Sequence, residues 1–195
     1  MRLAMSREGQ AKVLSKKELK RVYAIAGNSR LKLRNTCLLD FSFKLGLRVK
    51  EMASLMISDL TDNNGNIRNE FILKNEQSKG HNGGRCIYLS SNKLRKNLQD
   101  YLDSRENDPN NHLFKSQKTA FTANSLQQLF KRMYKDADIA GAKSHSGRRT
   151  FATTLIEKGF DIKSVSVLMG HSNIQTTAKY ITENPIRLSE MLKNM

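Results

Sequence analysis

The sequence predicts a mainly α-helical domain that carries one small antiparallel β-sheet, an α+β arrangement. Three observations point there. Apolar residues recur at helical intervals over most of the chain, the texture turns to short β-type runs only once, after Asp59, and no clear linker divides the chain into halves. At 195 residues the chain is long enough to bury one core of its own.

Each element has a local reason. "SKKELKRVYAIAG" opens with Ser15 and Glu18 at capping-box spacing and closes at Gly27, which predicts a short first helix. "RLKLRNTCLLDFSFKLG" places Leu31, Cys37, Leu38, Phe41 and Leu45 at helical intervals, and Gly46 ends it. A third helix starts around Arg48. Two β-type runs follow, Phe71–Leu73 and Cys86–Leu89, joined by a polar, Gly-rich loop. From Ser91 onward helical patterns return in "NKLRKNLQDYLDSR", "SLQQLFKRMYKDA", "GRRTFATTLIEKG", "IKSVSVLMG" and "NIQTTAKYI". Ser172 and Gln175 stand at capping-box spacing before the last of these, whose expected buried stripe is Ile174, Ala178 and Ile181. Asn184-Pro185 then begins a final segment with Leu188, Met191, Leu192 and Met195 on one face.

Charge bounds the function. Lys and Arg number 34 against 18 Asp and Glu, giving a net charge of +16 and a pI near 10.0. A folded domain that tolerates this much self-repulsion suits a polyanionic partner, nucleic acid before an anionic membrane surface; a merely soluble basic protein is the plainer alternative. No run approaches the ~18 apolar residues of a membrane-spanning helix, and "MRLAMSREGQ" lacks the apolar centre of a secretory signal, so a cytoplasmic protein is expected. Cys37 and Cys86 have no CxxC partner and read as reduced, buried thiols. His81, His112, His145 and His171 show no ligand spacing, so no metal or other cofactor is expected.

Four short stretches carry candidate chemistry. In "KSHSGRRTFATTLIEKG", His145 and Arg148 lie three apart at a predicted helix start, where an imidazole, a guanidinium and free N–H groups would receive one phosphate. Solvated cations on a capped helix would look the same. In "GLRVKEMASL", Glu51 follows Arg48 by one turn, either as a surface ion pair of small energy or to orient the guanidinium. Lys79 sits in the loop between the β-type runs. In "LMGHSNIQTTAKY", Tyr180 lies about 240° round the helix from Ile174, off the expected stripe, so its hydroxyl can face a cleft rather than pack as an ordinary half-buried tyrosine.

In this order these residues resemble the tyrosine recombinases of the phage-integrase family. "GLRVKEMASL" is similar to their first arginine box, and "SHSGRRTFATTLIEKGFDIKSVSVLMGHSNIQTTAKYI" to their second box and tyrosine segment, with Tyr180 nine residues after His171. The likeness covers roughly residues 15–183. Ser146-Gly147 stands where many relatives have Asp-Leu, and Arg149 where many have His; neither changes the HxxR register.

The resemblance implies the fold of the recombinase catalytic domain and the roles of its residues. Arg48 and Arg148 would grip the scissile phosphate, with Glu51 orienting Arg48. His145 would serve acid/base exchange, and His171 would hydrogen-bond the phosphate. Lys79, or Lys74 in its place, would protonate the leaving 5′-hydroxyl, and Tyr180 would be the nucleophile. The chemistry is self-consistent. A phenol of pKa near ~10 needs proton removal or a cationic surrounding to attack at neutral pH, and two guanidiniums also neutralise the non-bridging oxygens without a metal.

It follows, as expectation, that residues 1–183 form a DNA breaking and rejoining domain with an N-terminal arm at 1–14, and that 184–195 form a helical tail. The activity would be site-specific recombination of double-stranded DNA through a 3′-phosphotyrosyl intermediate, for integration, excision or inversion. A monomer would assemble as a homo-oligomer, a tetramer on DNA, its tail reaching a neighbour and DNA-bending accessory proteins assisting, in a cytoplasmic, nucleoid-associated setting. Only about fifteen residues precede the first helix, so the chain resembles the short, catalytic-domain-only members. Two other readings are an accessory DNA-binding protein of the same fold without strand exchange, and a relaxing enzyme like the type IB topoisomerases. The full residue set disfavours the first, and the "LMGHS" box the second.

Overall fold

The computed structural model of the chain describes residues 10–74, 84–105, 111–117, 119–178 and 180. Its elements are α1 (Lys16–Gly27), α2 (Lys32–Phe43), α3 (Val49–Ser54), α4 (Ile57–Leu60), β1 (Glu70–Leu73), β2 (Arg85–Tyr88), α5 (Asn92–Asp103), α6 (Ala123–Asp136), α7 (Ser146–Glu157), α8 (Ile162–Met169) and α9 (Ile174–Ala178). The mainly helical class with one two-stranded antiparallel sheet is thus observed. No described helix is long and apolar enough to cross a membrane.

The predicted capping box at α1 forms: Glu18 N–H donates to Ser15 Oγ at 3.3 Å, and Ser15 N–H donates to Glu18 Oε2 at 2.9 Å. Helix α2 is buried on nearly every side, from Cys37 to Phe43, and packs against α1, α5 and α7. A helix in that position cannot be amphipathic, which is why its polar residues need partners. Asp40, fully buried, accepts from the Tyr23 hydroxyl at 2.8 Å and the Asn97 amide at 2.6 Å and pairs with Lys44 at 2.6 Å. Phe41 meets Phe114 edge to face with centroids 5.2 Å apart.

Two apolar clusters result. The larger joins α1 to α6 and the sheet; the smaller consists of Ala152, Ile156, Val165 and Met169, with Phe151, Leu155 and Tyr180 against it. Gly46 links α2 to Arg48 at φ +64°, and a Cβ there would stand 2.5 Å from a Phe151 ring carbon, so only glycine lets α2 turn this close to α7.

Several expectations need correction. The sheet pairs Phe71 with Ile87 and Leu73 with Arg85, so the second strand runs Arg85–Tyr88 rather than Cys86–Leu89. Cys37 is buried as expected, whereas Cys86 is only half-buried, because it alternates with the inward Ile87. The short α4 had no periodic signal. The expected stripe on the last helix is absent: Ile174 is 45% exposed, Ala178 is exposed, and Thr177 is the buried residue of α9. Nor does Ser172 cap it; Gln175 N–H donates to Asn173 Oδ1 at 2.8 Å. Lys79, His81, Ile181 and the tail at 184–195 lie outside the described residues.

Candidate active site

The site collects chain segments that are far apart in sequence at the ends of α3, α7, α8 and α9. Arg48 is the residue before α3, in extended backbone conformation at ψ 152°. Its N–H donates to Glu51 Oε2 at 2.7 Å and its Nη1 to Oε1 at 2.7 Å, so one carboxylate fixes both the main chain and the side chain. Glu51 is no surface partner, for it is fully buried. Its second neighbour is Arg85 on β2, whose Nη2 donates to Oε2 at 2.7 Å and whose Nη1 donates to the Leu168 carbonyl at 2.6 Å. Burial alone would raise the carboxyl of Glu51, but Arg85, Arg148, and the N–H and guanidinium of Arg48 outweigh it and hold it below the ordinary carboxylate range.

Arg148 enters from the first turn of α7 and is 3% exposed. Its Nη1 donates to the Gly46 carbonyl at 2.6 Å, and its Nη2 donates to the Met169 carbonyl and lies 3.1 Å from His171 Nε2. Burial, then the Arg85 and Arg48 charges, press it down to about 9, which leaves it cationic at neutral pH. Arg85 and Arg148 thus both hold carbonyls at the C-terminal end of α8, where cations are favoured. Gly170 follows at φ +60°; a Cβ there would lie 2.6 Å from Arg85 Cδ, so glycine allows the chain to turn directly into His171.

His171 is kept neutral. Burial, followed by Arg148, Arg48 and Arg85, lowers it to about 4. Its Nδ1 lies 2.8 Å from Thr177 Oγ1, and its ring faces that of Tyr180 at 6.0 Å between centroids. Because its folded value lies below the free imidazole's 6.5, the unfolded chain binds the proton first, and stability drops as pH falls from about 6.5 toward 4. His171→Gln is expected to remove about 1 kcal/mol of that acid dependence, read from urea midpoints at pH 7 and pH 4.5.

A cleft of about 460 Å³ opens over these groups, lined by Arg48, His145, Arg148, His171 and Tyr180 together with Lys143, Arg149, Gln10, Ala11 and Thr176. Five of the six residues singled out as catalytic candidates therefore meet in one cavity, and among the described residues its lining carries cations and no carboxylate. His145 is exposed at the start of α7, whereas Arg148, read as facing free space, is buried. Lys79 lies outside the described residues. Lys74 pairs with Asp59 at 3.3 Å and is not among the lining residues. Tyr180 reaches the cleft although the stripe that predicted its direction is absent, because Thr177 and not Ile174 turns inward.

Arg85 was missed by sequence reasoning. A signal existed, since Arg85 shares strand parity with Ile87 and Leu89, both buried. Arg149 anchors a wall of the cleft, its Nη1 donating to the Ala11 carbonyl at 2.7 Å. Among the described residues no group of three or more His, Cys, Asp or Glu side chains gathers as a metal site.

Known proteins share the sequence pattern and the fold of this chain. The pattern of the Phage integrase family matches residues 12–187. Tyrosine recombinase XerD of Oceanobacillus iheyensis is 28% identical over 190 residues, covering 93% of this chain and 61% of that protein. The crystal structure of XerA recombinase superposes with a TM-score of 0.77 at 26% identity, covering 96% of this chain and 66% of that one. The XerH site-specific recombinase bound to difH substrate, in a pre-cleavage complex, gives 0.72 at 26% identity, covering 97% and 55%. The chain spans about three fifths of the curated relative it matches. By sequence pattern and by fold, the chain belongs to the phage integrase family, the tyrosine recombinases.

Proposed function

We propose that this chain is a site-specific DNA recombinase whose strand cleavage runs through Tyr180. The observation that carries the reading is the convergence of Arg48, His145, Arg148, His171 and Tyr180 on one cationic cleft. The two guanidiniums take the non-bridging oxygens of a backbone phosphate, and Glu51 keeps Arg48 aimed. Tyr180 Oη attacks phosphorus as its proton passes to His145. The bond from phosphorus to the 5′-oxygen breaks, and Lys79 protonates that oxygen, leaving a 3′-phosphotyrosyl linkage and a free 5′-hydroxyl. A second 5′-hydroxyl reverses the step on another strand.

Double-stranded DNA is the partner supported by the +16 charge and by the recombinase XerH, which binds its difH substrate. Residues 1–183 serve as the breaking and rejoining domain, and residues 184–195 as a tail that reaches a neighbour in a tetramer on two duplexes. DNA-bending proteins assist the assembly, which works at the nucleoid.

The test uses a library of nicked duplexes randomised around the nick, in which cleavage releases a short fragment and traps the enzyme. The parent chain is expected to yield a DNA adduct that survives boiling in detergent, and Tyr180→Phe none. An adduct formed by the Phe variant would assign the nucleophile elsewhere, and no adduct from any library member would leave only a binding protein.

A further inference from the structure

Both ring nitrogens of His171 are engaged, and the partners fix the proton. Arg148 Nη2, 3.1 Å from Nε2, has only protons to give, so Nε2 accepts. A neutral imidazole has one donor and one acceptor, so the proton sits on Nδ1 and is donated to Thr177 Oγ1 at 2.8 Å. In this state Nε2 has nothing to offer an anion. The role that the family resemblance implies for His171, a hydrogen bond to the phosphate, requires the opposite tautomer, with Nε2–H directed at a phosphate oxygen.

We propose that Thr177 is the positioning residue that lets His171 change tautomer when a phosphate enters the cleft. The inference rests on the phosphate-binding reading of His171. As the anion draws the Arg148 N–H groups toward itself, Nε2 loses its donor. Nε2 then takes a proton from solvent in the cleft, and Nδ1 releases one during a transient opening of its contact with Thr177, with no net change of charge. Nδ1 becomes an acceptor, and the Thr177 hydroxyl, until then the acceptor, rotates to donate to it. A hydroxyl alone among small side chains can serve both states, and Thr177 is fully buried, so bulk water has no access to replace it.

A second observation ties the same residue to the nucleophile. The Tyr180 N–H donates to the Thr177 carbonyl at 2.9 Å, so the side chain of Thr177 holds the histidine while its main chain holds the turn bearing the tyrosine. Thr177 is also the one buried residue of α9.

The experiment compares the parent chain with Thr177→Val, which keeps the shape and removes the hydroxyl, and Thr177→Ser, which keeps the hydroxyl. The first readout is the side-chain ¹H–¹⁵N spectrum of His171 in histidine-labelled protein, without DNA, as inorganic phosphate is added. The parent and Thr177→Ser are expected to pass from Nδ1–H to Nε2–H, and Thr177→Val to fail to make that exchange. The second readout is single-turnover adduct formation, expected to fall about 10- to 100-fold in Thr177→Val, as for residues that orient a ligating histidine from behind, and to recover in Thr177→Ser with duplex affinity unchanged in all three.

A proton on Nε2 in the phosphate-free parent, no tautomer change on adding phosphate, or undiminished cleavage by Thr177→Val would each overturn the proposal. If Thr177→Val is poorly folded by its urea midpoint, the parent spectrum with and without phosphate still decides. Failure of the recombinase reading shows instead as no Tyr180-dependent adduct from the parent chain, while the spectral result stands by itself.

Discussion

Glu51→Ala is expected to lose about 3–5 kcal/mol of folding stability, the cost of stripping one partner from a buried ion pair. The carboxylate is fully buried and serves Arg85 and Arg48 at 2.7 Å each, as well as the Arg48 N–H. Without it, two guanidiniums and a main-chain donor face each other with their shared acceptor gone. A domain of this size has about 5–15 kcal/mol in all, so the loss decides whether the variant stays folded near 37 °C. Glu51→Gln retains the shape and one acceptor and is expected to fall between parent and Ala in urea midpoint at unchanged slope. Its pH behaviour differs from the parent in a defined direction. A carboxyl held below its unfolded value contributes stability that is fully present above about 4.5 and is lost as pH falls through the lower folded value. The parent therefore weakens in that range, and Glu51→Gln lacks this component of the decline.

Arg148→Lys, conservative in charge, is expected to slow adduct formation on a suicide duplex by about 10²–10³-fold, as for the loss of one oriented donor at a developing charge. Arg148 does three things from one planar group: it donates to the Gly46 carbonyl, to the Met169 carbonyl and toward His171 Nε2. An ammonium on a flexible stem cannot span those directions and also present a face to a phosphate. One buried carbonyl loses its donor, at a cost of about 1–3 kcal/mol. Single-turnover rates and urea midpoints measured on the same preparation separate the two losses. Cleavage at the parent rate by Arg148→Lys would remove this residue from the proposed phosphate grip.

How much of this was legible depended on the range of the interaction. The cap of α1 lies within four residues, Ser15 to Glu18, and was readable from spacing alone. The cleft residues were readable because their order along the chain matches a family pattern, although no local rule brings Arg48 and Arg148 together. The errors share a cause. The stripe on α9 assumed a core beneath Ile174, and a five-residue helix presents too little periodicity to say which side is covered. For Arg148 and Glu51 local spacing left both a surface charge and a buried role open, because burial of a charge is decided by partners distant in sequence, here Gly46, Met169 and Arg85. Arg85 was passed over for the same reason, although its shared strand parity with Ile87 and Leu89 pointed inward.

The two apolar clusters have a consequence for how the protein breathes. Among the described residues, α9 contributes Thr177 to the interior and Tyr180 rests on the minor cluster, whereas Arg148 on α7 and Arg85 on β2 are tied to main-chain carbonyls. Segments with so few apolar anchors open by themselves at free energies well short of global unfolding. Among the described residues the phenol thus depends on the minor cluster, so local opening at α9 is expected to move Tyr180 without unfolding the larger core.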